Sequence, residues 1–218
     1  MSVDAFREAA FSTPQRYYLV MGSAFIHSTA DLAAEVKIGK NSRIWRYVQI
    51  CGESIIGRNV YVGPGVQIGN NCKIQNNALL YEPAILEDGV FIGLAVVLTN
   101  DSYPRAINPD GTLKEKKDWI PVGVIIRKGA SIGARSVCIA PIEIGEWALV
   151  AAGSIVTKDV PNFALVAGVP ARRIGWVGKA GIPLIELGEG IFTCPKTGVR
   201  FQEQDPSTLI EYGRLEKS

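Results

Sequence analysis

The chain has 218 residues, of which 47% are hydrophobic and 20% charged, and its formal net charge is +2 at pH 7. This composition is typical of a globular protein that can bury a core, and the small charge gives no reason to expect a nucleic acid as partner. Since no apolar stretch reaches the roughly 18 residues that cross a bilayer, we expect a cytoplasmic protein without membrane insertion.

The first segment, residues 1–22, precedes the regular part of the sequence. Its run from Asp4 to Ala10 predicts one short helix, which ends before Thr13-Pro14. We predict that this segment caps the end of the domain that follows.

From residue 23 onward, an aliphatic side chain recurs at every sixth position, and a small or β-branched one follows four places later, as Ser42 follows Ile38. A period of six fits neither a helix nor a simple meander, but fits flat strands joined by tight corners. The repeat therefore predicts an all-β fold, a parallel β-helix over residues 23–166. The series is Ile26, Leu32, Ile38, Ile44, Ile50, Ile56, Val62, Ile68, Ile74, Leu80, Leu86, Ile92 and Leu98.

Residues 101–121 interrupt the repeat with prolines, an Asp110-Gly111 turn and a basic run that begins at Lys114. The hexad resumes at Ile126 in a shifted frame, which identifies the loop as an insertion. A loop of this length inside a regular scaffold is more often functional than accidental.

The C-terminal extension, residues 167–218, has no repeat. Its apolar stretches 182–187 and 191–192 predict a small strand or helix packed on the last coil. The four cysteines contain no C-x-x-C pair, so neither a zinc site nor a disulfide framework is indicated. Cys72 and Cys138 occupy inward repeat positions and are expected to be small buried hydrophobic residues.

Two motifs near the end of the repeat, Gly153 to Pro161 and Gly168 to Arg172, resemble hexapeptide acyltransferases that use acyl-CoA. Other motifs resemble a narrower group, which acetylates the 3-amino group of UDP-2-acetamido-3-amino-2,3-dideoxyglucuronate for surface polysaccharides such as lipopolysaccharide. The resemblance implies a left-handed β-helix, a homotrimer with active sites between subunits, and acetyl-CoA as cosubstrate. The narrower likeness lies in Lys73 to Asn77, Leu86 to Phe91, Thr99 to Arg105 and Arg173 to Trp176.

Two residues are candidate catalytic groups. Gln75 follows Ile74, and its column neighbours eighteen residues away are Gly57 and Gly93, which would leave room for a ligand; an outward, solvent-facing glutamine is the alternative. The resemblance assigns Asn100 a contact at the reacting amine, and an ordinary turn cap is the alternative.

The remaining candidates would bind the two substrates. Asn76 and Asn77 belong to the acceptor set, although a stacked amide ladder that stabilises the coil is an equal alternative. For acetyl-CoA, backbone amides near Ala151 would pair with the pantetheine arm, and basic side chains would meet the phosphates, unless these are simply solvated charges. The acceptor candidates are Asn76, Asn77, Tyr81 and Arg105, and the cofactor candidates are Gly93, Ala151, Gly153, Lys158, Arg172 and Arg173.

The only histidine, His27, lies in the first coil, so we expect a surface or capping role and no histidine base. The lack of three histidines excludes a zinc carbonic anhydrase on this scaffold, and we expect no metal.

The alternative enzyme is an O-acetyltransferase that acts on another sugar or small acceptor. An alcohol is harder to deprotonate than an ammonium group, so that reaction would require a base more plainly than acetylation of an amine does. A purely structural β-helix would explain neither the insertion nor the basic motif. At Arg46 and Gln49 the sequence departs from the narrower group, where histidines are expected.

Overall fold

The structure is a computed structural model that describes residues 19–20 and 23–214. The helix expected at residues 4–10 lies outside these described residues. No helix in the described part of the chain is long and apolar enough to cross a bilayer.

Short strands follow one another through the repeat and wind into a parallel solenoid. Each strand pairs in parallel with the strand one coil later, as Ile38 does with Ile56. The strands in chain order are β1 (Leu19–Val20), β2 (Phe25–Ile26), β3 (Asp31–Leu32), β4 (Lys37–Ile38), β5 (Arg43–Ile44), β6 (Gln49–Ile50), β7 (Ile55–Ile56), β8 (Tyr61–Val62), β9 (Gln67–Ile68), β10 (Lys73–Ile74), β11 (Leu79–Leu80), β12 (Ile85–Leu86), β13 (Phe91–Ile92), β14 (Val97–Leu98), β15 (Val124–Ile126), β16 (Ser131–Ile132), β17 (Val137–Cys138), β18 (Ile142–Ile144), β19 (Leu149–Val150) and β20 (Ile155–Val156).

These strands form three faces. Face A contains every third strand from β1 to β19, face B those from β2 to β20, and face C those from β3 to β18. Coil 1 comprises β1 to β3, and later coils are numbered in the same way, so that coil 5 comprises β13 to β15. The predicted all-β parallel β-helix is confirmed. Its first strand, β1, pairs with β4, so the repeat begins one strand earlier than the predicted boundary after residue 22.

Most corners between faces are three-residue turns whose last residue is left-handed. Asn41, Asn59 and Asn77 have φ angles of 63°, 56° and 64°, a region that asparagine and glycine enter at the lowest cost. The next residue points into the core and must be small: Ser42 is fully buried, and its hydroxyl donates to the Gly57 carbonyl at 2.7 Å. The small residue of each hexad therefore fills the inside of a corner.

The insertion leaves the solenoid after β14 and returns at β15. Leu86 pairs with Ile126, forty positions later instead of eighteen, so the ladder of face C continues across it. Inside the insertion are one Ile107–Leu113 bridge and one turn of 3-10 helix at Lys116–Asp118. Several apolar side chains face solvent, with Tyr103 84% and Ile120 83% exposed.

Beyond the last coil, the predicted short element is a sheet. Strand β21 (Ala164–Gly168) ends face A, and β22 (Ala171–Trp176) folds back antiparallel to it. The strands β23 (Ile185–Gly188), β24 (Ile191–Thr193), β25 (Val199–Asp205) and β26 (Thr208–Arg214) then form an antiparallel meander. The rings of Phe163 and Phe201, 5.4 Å apart, pack this meander against the solenoid.

Cys72 and Cys138 are fully buried, as the hexad pattern predicted. Burial raises the pKa of both thiols, to about 11 for Cys72 and about 12 for Cys138, so both stay protonated at neutral pH. All four cysteines are free.

Candidate functional site

The candidate residues divide between two edges of the prism. The AB corner, the column of turns between faces A and B, carries Gln75 and the cofactor candidates Gly93, Ala151 and Gly153. The BC corner, between faces B and C, carries Tyr81, Asn100 and Lys158. Within one protomer the structure therefore places Gln75 and Asn100 on different corners.

The AB corner presents a strip with few side chains. The Gln75 N–H donates to the Ile92 carbonyl at 2.8 Å, which places partly buried Gln75 directly below Gly93. A Cβ on Gly57 would lie 2.7 Å from the Asn76 nitrogen, so glycine is required where the coils approach most closely. From Gln75 on coil 4 to Ala151 on coil 7 the strip is about 14 Å long, at about 4.8 Å per coil.

Backbone bonds at the top of this strip limit how a ligand can pair with it. The N–H of Ala151 donates to Val166 and that of Gly153 to Ala134, both at 2.8 Å. Neither N–H is available for a pantetheine amide, contrary to what we expected of these two residues. Among the hydrogen bonds of the described residues, the N–H of Ala152 has no acceptor and is the free donor in this turn.

Asn76 and Asn77 hold the coil together. The Asn76 side-chain oxygen accepts the Arg58 N–H at 2.7 Å, and Asn77 is the left-handed residue of the turn. The Asn76 contact recurs at another edge, where Asp88 accepts the Asn70 N–H at 2.7 Å. This contact supports a coil-stabilising role for Asn76, by a side chain to backbone bond in place of an amide ladder.

At the BC corner, Tyr81 lies one coil below Asn100. The Tyr81 N–H donates to the Leu98 carbonyl, two residues before Asn100. The Asn100 carbonyl accepts the Val122 N–H at 3.1 Å and thereby ties together the two ends of the insertion. Its side-chain amide has no hydrogen-bond partner in the described residues, so the turn is closed by the backbone of Asn100 and not by its side chain.

Arg105 and His27 form local hydrogen bonds. Arg105 is exposed on the insertion and donates to the Pro104 carbonyl at 2.9 Å. The Nδ1 atom of His27 accepts the Thr29 N–H at 3.2 Å, a local contact within the first coil. Because Asn100 stands four coils higher, His27 is about 19 Å away along the solenoid.

Three cationic residues converge at the C-terminal end of the solenoid. Lys158, Arg172 and Arg173 line one cavity of about 170 Å³. Arg173 is held in place, because it donates to Glu203 at 3.2 Å and its guanidinium lies 4.2 Å from the centre of the Trp176 ring. Asp159, which also lines the cavity, accepts the Glu143 N–H at 2.8 Å. The three cations belong to separate motifs of the sequence, and the structure brings them together at one cavity.

One feature of the BC side was missed in the sequence. Phe25, Trp45, Tyr61 and Tyr81 supply one ring to each of coils 1 to 4, and their successive ring centroids are 5.5, 6.2 and 5.0 Å apart. We call these four residues the aromatic ladder. Two of the rings precede the aliphatic residue of the hexad and two follow it, so their spacing of 20, 16 and 20 residues has no fixed period. The available signal was an aromatic residue beside the hexad position in consecutive coils.

Known proteins match both the repeat and most of the chain. Residues 35–68 match the family described as bacterial transferase hexapeptide (six repeats), and residues 122–158 match the hexapeptide repeat of succinyl-transferase. The dTDP-3-amino-3,6-dideoxy-alpha-D-galactopyranose 3-N-acetyltransferase of Aneurinibacillus thermoaerophilus is 44% identical over 155 residues, which are 71% of this chain and 79% of that protein.

Two further matches are less extensive. The serine acetyltransferase of Haemophilus influenzae is 35% identical over 102 residues, which are 46% of this chain and 37% of that enzyme. A solved hexapeptide transferase family protein from Anaplasma phagocytophilum superimposes with a TM-score of 0.49 at 20% identity, covering 77% of this chain and 89% of the other.

Proposed function

The chain belongs to the hexapeptide-repeat acyltransferases, and from this premise we propose that it transfers an acetyl group from acetyl-CoA to an amino group of a nucleotide-linked sugar. The 44% identical relative, a sugar-nucleotide 3-N-acetyltransferase by name, supports the acceptor class. The observation that carries the choice of an amine is the free amide of Asn100, about 19 Å from the only histidine. An amine can attack without a protein base, whereas a hydroxyl needs one at neutral pH.

The chemistry follows from this arrangement. The neutral amine attacks the thioester carbonyl, a C–N bond forms, the C–S bond breaks, and the proton lost from nitrogen goes to the departing sulfur. Asn100 orients the amine, and the chain contributes mainly position and hydrogen bonds. The protein thus accelerates the reaction without itself taking the proton.

A homotrimer is part of the proposal. If the AB corner of one protomer faces the BC corner of its neighbour, Gln75 and Asn100 line one cleft, which neither protomer builds alone. The exposed Tyr103 and Ile120 on the insertion support such a neighbour, because apolar side chains of this size are normally covered in a stable assembly.

Acetyl-CoA would lie along the AB corner. Gly93 and the turn of Ala151 to Gly153 leave space for the pantetheine arm, and the free N–H of Ala152 is a donor for one of its amides. The phosphates would lie against Lys158, Arg172 and Arg173, whose guanidinium forks suit phosphate oxygens. Since acetyl-CoA is a cytoplasmic metabolite, we place the reaction in the cytoplasm.

For the acceptor we propose UDP-2-acetamido-3-amino-2,3-dideoxyglucuronate, used in surface polysaccharide synthesis, with Asn76, Asn77, Tyr81 and Arg105 around it. Arg105 is the cation available for the sugar carboxylate. A dTDP-linked 3-amino-3,6-dideoxy sugar is the second candidate, which the Aneurinibacillus relative favours. Both carry the reacting amine on C3.

The test is an acceptor panel. The protein is incubated with acetyl-CoA and UDP- or dTDP-linked 3-amino sugars, while the release of free thiol is followed; UDP-N-acetylglucosamine, which has no free amine, is the control. Thiol release with a 3-amino sugar and none with the control is the expected result. Turnover of a hydroxyl acceptor such as serine, with no turnover of any amino sugar, would overturn the proposal.

A further inference from the structure

The aromatic ladder consists of solvent-side rings that the solenoid core does not need. The interior of coils 1 to 4 is filled by aliphatic residues such as Ile44 and Val62, both fully buried, whereas Phe25 is 47% exposed. Trp45, Tyr61 and Tyr81 are partly buried, mainly against one another. A continuous row of rings on the outside of a rigid scaffold is a ready stacking platform for flat ligand groups.

The aromatic ladder begins one coil below Asn100 and extends from there toward the N-terminal end of the solenoid. Tyr81, its top ring, lies on coil 4 directly under the coil of Asn100, and the other rings descend toward the N-terminal end. The cavity of Lys158, Arg172 and Arg173 lies at the opposite end of the solenoid. Two ligands that meet at Asn100 would therefore arrive from opposite ends, one over the cations and the other over the rings.

Two arginines accompany the ladder. Arg43 stands in the outward column of face B between Phe25 and Tyr61, each paired with it in the sheet. Arg46 follows Trp45 and is exposed. Neither guanidinium forms an ion pair with a carboxylate of the described chain. A carboxylate is nonetheless nearby, because the pKa of the Tyr61 hydroxyl is raised by burial and, to a smaller extent, by the negative charge of Glu82. Unpaired guanidinium groups beside stacked rings suit a phosphate group joined to an aromatic base.

We infer that the aromatic ladder, together with Arg43 and Arg46, binds the nucleoside diphosphate of the acceptor. The sugar lies on Tyr81 below Asn100, the diphosphate meets the two arginines, and the pyrimidine stacks on Trp45. This inference rests on the proposed function and deepens it, because it assigns recognition of the nucleotide to particular residues of coils 1 to 4. The two unpaired arginines favour a nucleotide over a neutral carbohydrate chain, which would use the rings alone.

The test measures binding of UDP and dTDP to the full chain by calorimetry. Trp45→Leu is expected to weaken binding about 5- to 150-fold, the range for loss of one base-stacking ring. Tyr61→Leu should weaken it less, because the Tyr61 ring packs against Trp45 and positions it. Tyr212→Leu is the matched control: Tyr212 is 49% exposed on β26, far from the ladder, and its removal should leave nucleotide binding unchanged. Thermal unfolding of each variant shows whether the coil is intact, and Tyr61→Leu carries the test if Trp45→Leu unfolds.

Steady-state kinetics test the nucleotide site independently of the proposed acetyl transfer. With a nucleotide amino sugar, Trp45→Leu should raise its KM and leave the KM for acetyl-CoA unchanged, while activity on the amino sugar 1-phosphate should not change. If the protein binds nucleotide in a way that depends on the rings but transfers no acetyl group, the nucleotide site on the ladder is supported and the proposed reaction is rejected. Wild-type nucleotide affinity in both ring variants would overturn the ladder site, and so would a changed oligomeric state with unchanged nucleotide binding.

Discussion

The AB corner and the BC corner are two edges of one prism, yet they present different surfaces. The residue after the aliphatic one is glycine in most coils of the AB corner, as at Gly57 and Gly93, whereas the BC corner has one such glycine, Gly63, and carries Trp45 and Tyr81 in the coils on either side of it. The core fixes the strand positions and leaves this one position free to vary. One edge of the prism thereby becomes a smooth strip, and the other becomes a row of rings with an insertion.

The largest expected effect is on the glycine of the smooth strip. In Gly57→Ala the new Cβ would lie 2.7 Å from the backbone nitrogen of Asn76 and 2.8 Å from the carbonyl carbon of Gln75. Backbone cannot move as a side chain does, so we expect a loss of about 3 kcal/mol in the free energy of unfolding, measured by urea denaturation.

The matched change at the BC corner is Gly63→Ala, where the first atom met is the mobile carboxylate of Glu82 at 2.6 Å. We expect a loss of only about 1 kcal/mol, since that side chain can swing away. Gly175→Ala, with no atom within 4 Å, is the neutral control. Equal losses at Gly57 and Gly63 would mean that the two corners are packed alike.

Next comes Asn100, the candidate of the BC corner whose side-chain amide is unpaired among the described residues. Asn100→Ala should slow acetyl transfer about tenfold to a few hundredfold, as expected for loss of a hydrogen bond of about 1 to 3 kcal/mol, without abolishing it. His27→Ala is the control and should keep nearly full activity. The pH dependence of turnover should then follow the acceptor amine, and loss of all activity in a folded His27→Ala variant would show that the histidine takes part.

Substitutions of the three cations that line the C-terminal cavity should differ in their kinetic and thermal effects. Lys158→Ala and Arg172→Ala are expected to raise the KM for acetyl-CoA about fivefold to tenfold with little change in turnover, because they would contact phosphate only. Arg173→Ala should in addition lower the melting temperature, since its guanidinium also holds Glu203 and Trp176. An unchanged KM in all three variants would reject this placement of the phosphates.

The smallest effect concerns the third edge of the prism, between faces C and A, where Arg127 bonds Glu87 at 2.8 Å and Glu143 at 2.7 Å. The hydrogen bond from Arg127 lowers the pKa of Glu143. When folding lowers the pKa of a carboxyl group, the group stabilises the folded protein at pH values above its pKa in the unfolded chain. This stabilisation is lost as the pH falls through the pKa of the group in the folded protein. Because Glu143 is 43% exposed, we expect less than about 1 kcal/mol.

That contribution is measured as the difference in unfolding free energy between wild type and Glu143→Gln from pH 7 down to pH 3. The difference should shrink as the solution is acidified. A difference that is the same at every pH would come from packing and not from charge.

The sequence was most informative where one physical constraint recurs. Ile38, Ile56 and Ile74 must fill one interior column, so their period predicted the strands, the faces and the insertion. The same count identified Gly57 and Gly93 as the column neighbours of Gln75, and the strand register confirms this. The period could not show that Asn100 closes the insertion through its carbonyl, because hydrogen bonding of a turn depends on where the other end of the loop returns.

Other features lay outside the period. The N–H groups of Ala151 and Gly153 are consumed by the neighbouring coils, a fact of backbone direction that side-chain spacing does not carry. The strands of the meander, β23 to β26, differ in exposure, and all four residues of β23 are exposed, so the pattern of the meander resembles that of loops. The rings of the aromatic ladder alternately precede and follow the aliphatic residue of the hexad, so they have no fixed spacing that a periodic pattern could reveal.

The continuous pairing of Leu86 with Ile126 also bears on how the molecule assembles during folding. In a solenoid, each new coil nucleates on the one before, and nearly every step closes a segment of eighteen residues. The step across the insertion closes forty, which adds only about 0.7 kcal/mol of chain entropy by the logarithmic law for flexible loops. Growth of the solenoid therefore passes this corner almost unhindered, and the corner can accept segments of other lengths or sequences by grafting without a new fold.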